Sequence, residues 1–174
     1  MLVAAGIKTG LKIVADNPSE VGSDIIVGAV GAIARYEVPL VIVSLNTANV
    51  YTVIDKNATM VGVAIAPGVR IGAEALSMRA SQLPYVPLEA SGRVIGRNTA
   101  EAMKSGIMFG AAAQVDGMID RIEAELGYKV NTIMTGPISK RLAGLCKTPI
   151  VIDEYLQLEG MNAIFNKNKR KEKE

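Results

Sequence analysis

The sequence predicts a single α/β domain built on a mixed sheet, and three observations point there. Three β-branched runs, Pro39–Asn46, Ala48–Asp55 and Thr59–Ala66, follow one another with only short turns between them. Helical periodicities then alternate with further short strands to the end of the chain. Finally, 49% of the 174 residues are hydrophobic and 21% charged, enough apolar surface for one core and too little charge for disorder.

Taken in order, Met1–Ile13 is apolar, with Gly6 and Gly10, and reads as a short strand or extended lead-in. Asp16-Asn17-Pro18-Ser19 is a stop and restart, because Pro18 disfavours helix before it and Ser19 can cap the helix after it. Ser19–Tyr36 carries Val21, Ile25, Val30 and Ile33 near helical spacing, with Gly22, Gly28 and Gly31 allowing close packing. The three strands then form an antiparallel meander, closed by Pro67-Gly68. Val69–Ser81 is a helix with Ile71, Ala75, Leu76 and Met78 on its apolar side. Gln82–Gly92, with Pro84 and Pro87, is an extended loop. Arg97–Leu126 is the longest periodic segment, capped by Asn98 or Thr99, and Gly106, Gly110 and Gly117 mark a close crossing or a break. A strand over Val130–Thr135, a short helix near Ser139–Gly144, a strand over Pro149–Ile152 and a helix over Tyr155–Lys167 complete the body.

Composition removes several chemistries. There is no histidine, hence no histidine-based triad, metal site or general base. The single cysteine, Cys146, rules out an intrachain disulfide and a Cys-rich metal site; it reads as a small buried residue and fits a reducing cytoplasm. Met103, Met108 and Met118 read as core or dimer interface. The net charge of +2 is misplaced: Asn166–Glu174 carries +3, so the other 165 residues sum to −1 and offer no basic surface for nucleic acid. That tail, 166–174, reads as a frayed, solvated helix end beyond a single domain over 1–165. No signal peptide is legible, and the longest uncharged run, the 17 residues Val38–Ile54, is explained by two strands and a turn better than by a membrane span.

A meander followed by alternating helices and strands is the pattern of a single ribonuclease H-like lobe, as in sugar kinases and actin. Specific words then enter in order: Gly6-Ile7-Lys8-Thr9-Gly10-Leu11, Asp16-Asn17-Pro18, Glu20-Val21-Gly22-Ser23-Asp24, Gly62-Val63-Ala64-Ile65-Ala66-Pro67-Gly68, Leu83-Pro84, and Ile95-Gly96-Arg97-Asn98-Thr99-Ala100-Glu101-Ala102-Met103-Lys104-Ser105-Gly106. Over about Gly6 to Phe165 the chain resembles type III pantothenate kinases, a family that includes proteins described as Bvg accessory factors.

The resemblance implies an ATP-dependent phosphoryl transfer to the primary hydroxyl of pantothenate, the first step toward coenzyme A, in a cytoplasmic homodimer assisted by Mg²⁺ and the monovalent cation K⁺. Such chemistry needs a phosphate cradle, a metal and a carboxylate, and a chain without histidine can supply these residues. By resemblance, Asp24 is the base, and Gly22 belongs to the same motif. Thr47 and Ala48 lie in the phosphate loop, and Thr135 and Gly136 on the adenosine side. Arg97, Asn98 and Thr99 form a pantothenate-side segment that a partner subunit completes. No residue is assigned to metal.

Four departures qualify these expectations. The family's first lobe, with its DxGNT motif, has no counterpart here, so half of the nucleotide cleft is expected to be missing from this polypeptide. The family's DFGTATT reads Ser44-Leu45-Asn46-Thr47-Ala48-Asn49-Val50, with neutral Ser44 for the acid and Asn46 for the glycine. GADR reads Gly22-Ser23-Asp24-Ile25, without the arginine that would grip the pantothenate carboxylate at a cost of about 2–3 kcal/mol. ATGG reads Met134-Thr135-Gly136-Pro137.

Each residue also has a local explanation. Asp24 suits a helix first turn, Thr47 a turn, Thr135-Gly136 a strand end, and Asn98 and Thr99 a cap. Three readings therefore stand: an active or impaired kinase; a non-catalytic, self-associating lobe; and a regulatory module binding a nucleotide or coenzyme A.

Overall fold

The computed structural model describes Val3 and residues 7–169. Among these residues six strands form one sheet: β1 (Lys12–Ile13), β2 (Leu40–Leu45), β3 (Ala48–Ile54), β4 (Thr59–Pro67), β5 (Asn131–Thr135) and β6 (Val151–Ile152), in the order β1-β4-β3-β2-β5-β6. The meander β2–β3–β4 is antiparallel, whereas β1 joins β4, β5 joins β2 and β6 joins β5 in parallel. Five α-helices accompany it: α1 (Ser23–Arg35), α2 (Val69–Arg79), α3 (Thr99–Leu126), α4 (Ser139–Ala143) and α5 (Leu156–Lys169). The architecture is the expected α/β one, with mixed sheet and flanking helices.

β2 is apolar on both faces because both faces are covered. Leu40 and Ile42 point to one side and pack with Ile54, Met60 and Ile133 beneath Ala29 and Ala32 of α1 and Leu156 of α5. Val41, Val43 and Leu45 point to the other, with Tyr51, Val53 and Met134, beneath Met108, Ala112, Val115 and Ile119 of α3 and Leu142 of α4. The period of two along each strand thus makes two cores, one per face.

Several expectations are corrected. Ser19 caps no helix: Asn17 caps a 3₁₀ turn at Pro18–Glu20, its Oδ1 accepting the Ser19 backbone N–H at 3.2 Å, and α1 begins after Gly22, which makes no side-chain cap bond. α2 turns the other way from its predicted face. Its buried residues are Val69 and Ala73, while Ile71 and Leu76 are exposed and Met78 is 80% exposed. Small Ala73 meets the sheet, and no long apolar residue does. α3 is a single 28-residue helix, without a break at its glycines. It starts with a reciprocal cap: Asn98 Oδ1 accepts the Glu101 N–H at 2.9 Å, and Glu101 Oε2 accepts the Arg97 N–H at 3.0 Å. It ends on Gly127 at φ 75°, a left-handed turn that suits glycine. The expected lead-in strand contracts to Lys12–Ile13; Met1, Leu2 and Ala4–Gly6 lie outside the described residues. The segment read as a frayed tail is helical through Lys169, where Asn168 Nδ2 donates to the Lys8 carbonyl at 3.1 Å; residues 170–174 lie outside the described residues.

Met103 and Met108 are buried and Met118 packs against the same core, as core methionines should. Cys146 is half-buried, its thiol donating to the Leu142 carbonyl at 3.4 Å, and burial pushes its pKa up to about 11. It packs against the core formed with α3 and α4, as a small apolar residue does.

Candidate functional site

β2 and β5 run parallel, so their carboxyl ends lie side by side, and Ser44 is in register with Thr135. The alternation that puts Leu40 and Ile42 on the α1 face puts Ser44 there too. α1 starts above that end, and Asp24 stands in its first turn, where a helix dipole favours an anion. The result is a notch lined by Asp24, Ile25, Ser44, Thr52, Thr135 and Gln157, among others. Its volume is about 20 Å³, room for roughly one water-sized group, so a substrate would have to lie over it. Gly22 precedes the helix, and a Cβ there would sit 2.6 Å from Asp24 Oδ1, so glycine leaves the carboxylate its place.

On the other side of the β2 terminus lies a groove of about 340 Å³. Thr47, Arg70, Glu74 and Pro137 line it, with Leu88 and Ile138. The β2–β3 turn is held by Asn46 N–H donating to the Ala48 carbonyl at 3.1 Å, and Thr47 O accepts the Gly68 N–H at 3.1 Å. Gly136, at φ 107°, packs so tightly on Leu45 that a Cβ would enter the Leu45 backbone. The chain therefore leaves the notch at Thr135, crosses the end of β2 at Gly136 and enters the groove at Pro137. Asp24 and Thr135 share the notch; Thr47 lies in the groove; Gly136 joins the two. Ala48 is half-buried at the start of β3 and contributes its carbonyl to the turn.

Arg97, Asn98 and Thr99 are elsewhere. They open α3, which covers the opposite face of the sheet from α1, and Asn98 and the Arg97 amide are already engaged with Glu101. The Arg97 amide holds the Glu101 carboxyl below its ordinary range. Among the described residues, these three do not line the notch with Asp24.

Sequence reading missed three lining residues. Thr52 was legible in principle, since it shares the parity of Ile54 on β3 and faces the notch. Arg70, the cation beside Thr47, opens a helix that packs on the end of the meander, and Gln157 comes from α5; neither carries a local signal. The polar side chains at the notch are one carboxylate, three hydroxyls and the Gln157 amide. Among the described residues no three His, Cys, Asp or Glu side chains converge on one metal position. This does not make a protein cage for a divalent cation.

Comparison with known proteins follows the same outline. The family model for type III pantothenate kinase matches residues 1–121. A type III pantothenate kinase of Halalkalibacterium halodurans is 42% identical over 168 residues, which is 97% of this chain and 66% of that protein. One from Exiguobacterium sp. is 42% identical over 170 residues, and one from Myxococcus xanthus 39% identical over 168. The chain thus spans just under two thirds of the relatives' length. Among solved structures, a Campylobacter jejuni protein described as a Baf family transcriptional activator superposes with a TM-score of 0.66 at 18% identity, covering 93% of this chain and 71% of that one. The activator of 2-hydroxyisocaproyl-CoA dehydratase from Clostridium difficile, with bound ADPNP, gives 0.55 at 14% identity, covering 92% and 72%. At such identities these two speak for the fold alone.

Proposed function

The chain belongs to the type III pantothenate kinase family, and from that premise we propose that it supplies one lobe of an ATP-dependent kinase acting on the primary hydroxyl of pantothenate. The observation that carries this reading is the meeting of Asp24, Ser44 and Thr135 in one notch at the carboxyl ends of two parallel strands. A hydroxyl laid over the notch finds in Asp24 a carboxylate to accept its proton. Thr47 and Arg70, across the end of β2, offer a donor and a positive charge to phosphate oxygens. Magnesium and potassium ions, which the family implies, find no cage of carboxylates here, and no step is routed through them.

Ser44 brings no charge to the notch, and Ile25 lines it with an alkyl group. In this proposal the isolated chain is therefore impaired. It works in the cytoplasm as a homodimer, with Arg97, Asn98 and Thr99 serving the partner's site; their separation from Asp24 within the protomer supports that arrangement. Among the described residues no helix is long and apolar enough to cross a membrane.

Purified chain with pantothenate, ATP, Mg²⁺ and K⁺ should release ADP slowly, Asp24→Asn should abolish the release, and Ser44→Asp with Ile25→Arg should raise it. No turnover in any of these forms would overturn the kinase reading.

A second reading, a non-catalytic self-associating lobe, is favoured by exposed apolar side chains on two elements. Ile65 of β4 is 65% exposed and Leu158 of α5 is 58% exposed, with Val63, Met161 and Phe165 beside them in sequence pattern. A monomer at micromolar concentration by sedimentation velocity would count against it.

A further inference from the structure

Two helices begin at the notch. Asp24 stands in the first turn of α1 and Gln157 in the first turn of α5, and both line it. The floor belongs to the sheet: Ser44 of β2 is in register with Thr135 of β5, and Thr52 of β3 with Ile42 of β2. The rim above that floor is shared by two helix N-termini, whose dipoles favour an oxygen that gains negative charge.

The first turn of α5 is fixed in place. Leu156 is fully buried, and its carbonyl lies so close to Gly31 of α1 that a Cβ there would sit 2.2 Å away. The Asp153 carboxylate accepts the Tyr155 N–H at 3.0 Å and pairs with Arg35 of α1 at 3.2 Å. On the outer side, Glu159 pairs with Arg35 at 3.7 Å, and Leu158 is exposed. Gln157 is the residue of this turn that lines the notch. It is half-buried, and its side-chain amide makes no hydrogen bond to another described residue. Such an amide keeps two N–H donors and an acceptor oxygen for whatever fills the notch.

We infer that Gln157 belongs to the catalytic site: an N–H of its amide donates to the substrate hydroxyl oxygen while Asp24 accepts that hydroxyl's proton. This rests on the kinase reading of the notch. With a volume of about 20 Å³, the notch seats one oxygen-sized group against walls that include both side chains. That oxygen bonds to the γ-phosphorus of ATP, the bond from phosphorus to the ADP oxygen breaks, and the proton passes to Asp24 as ADP leaves. The oxygen has a second lone pair, and Gln157 engages it so that the first is aimed at phosphorus. Ser44, Thr52 and Thr135 have one hydroxyl proton each, whereas the amide has two and can hold the Asp24 carboxylate and the substrate oxygen together.

Contact and turnover are read separately. In isotope-labelled chain, the Gln157 side-chain amide signal is identified by its loss in Gln157→Leu. Pantothenate should shift that signal saturably, and the deoxy analogue, with hydrogen in place of the primary hydroxyl, should not. In turnover, Gln157→Leu and the isosteric Gln157→Glu, which has no N–H to donate, should each lower kcat about ten-fold, leaving KM for ATP and the melting temperature unchanged. No saturable shift, an equal shift with the deoxy analogue, or full kcat in Gln157→Leu would overturn the inference. A saturable, hydroxyl-dependent shift in a chain without turnover would support the contact and overturn the kinase reading alone.

Discussion

The Tyr36 hydroxyl donates to Asp153 Oδ2 at 2.9 Å across 117 residues of sequence. The same carboxylate accepts the Tyr155 N–H at 3.0 Å and pairs with Arg35 at 3.2 Å, while its side chain is only 4% exposed. Asp153 thereby ties the end of α1 to the start of α5, the two helices that cover the Asp24 face.

Removing the acceptor should cost more than removing one donor. Asp153→Ala leaves a hydroxyl, an amide and a guanidinium without their shared partner and should lose about 3 kcal/mol. Tyr36→Phe should lose about 1 kcal/mol, because Tyr36 and Arg35 are both partly exposed. Urea denaturation measures both, and equal losses would show that the carboxylate is not the hub.

α1 and α5 also meet backbone to backbone. A Cβ on Gly31 would run into the Leu156 carbonyl, and one on Gly160 into the Val27 carbonyl. Neither obstacle is a movable side chain. Gly31→Ala and Gly160→Ala should each destabilise by about 1–3 kcal/mol, whereas Gly28→Ala, with open space beside it, should be neutral or stabilising. A Gly28→Ala loss as large as that of Gly31→Ala would refute the contact.

Tyr51, with Cys146, contributes to the loss of stability at alkaline pH. Burial raises its pKa from 10.0 to about 12, so the folded state holds the phenolic proton over a range where the unfolded chain releases it. The resulting stability is complete below pH 10 and is lost as pH rises from 10 through 12. Tyr51→Phe should flatten the fall in stability over that window, as read by melting temperature against pH. An unchanged slope would remove Tyr51 from the account.

Much of the fold was legible in the residues. β-Branched runs at Pro39–Asn46, Ala48–Asp55 and Thr59–Ala66 became three paired strands with ends shifted by one residue or none, because a buried strand needs that composition wherever it lies. The α2 face was misread since periodicity reports where long apolar residues fall and not which side a neighbour occupies. Ala73 faces the core while Ile71 and Leu76 do not. Of the two caps offered for α3, Asn98 or Thr99, the structure uses Asn98; Ser19 is not a cap, because Asn17 Oδ1 takes the Ser19 N–H and places Ser19 inside a 3₁₀ turn.

For the site, sequence by itself determined the family and the separate residue types: one carboxylate at Asp24, hydroxyls at Ser44, Thr47 and Thr135, and a chain without histidine. Tertiary structure decided which of them share space. The parallel register of β2 with β5 puts Ser44 beside Thr135, the start of α1 brings Asp24 over them, and α3 on the other face keeps Arg97, Asn98 and Thr99 apart. Motifs record residues close in sequence, whereas adjacency across a sheet follows from strand order and side-chain alternation, which no local segment contains.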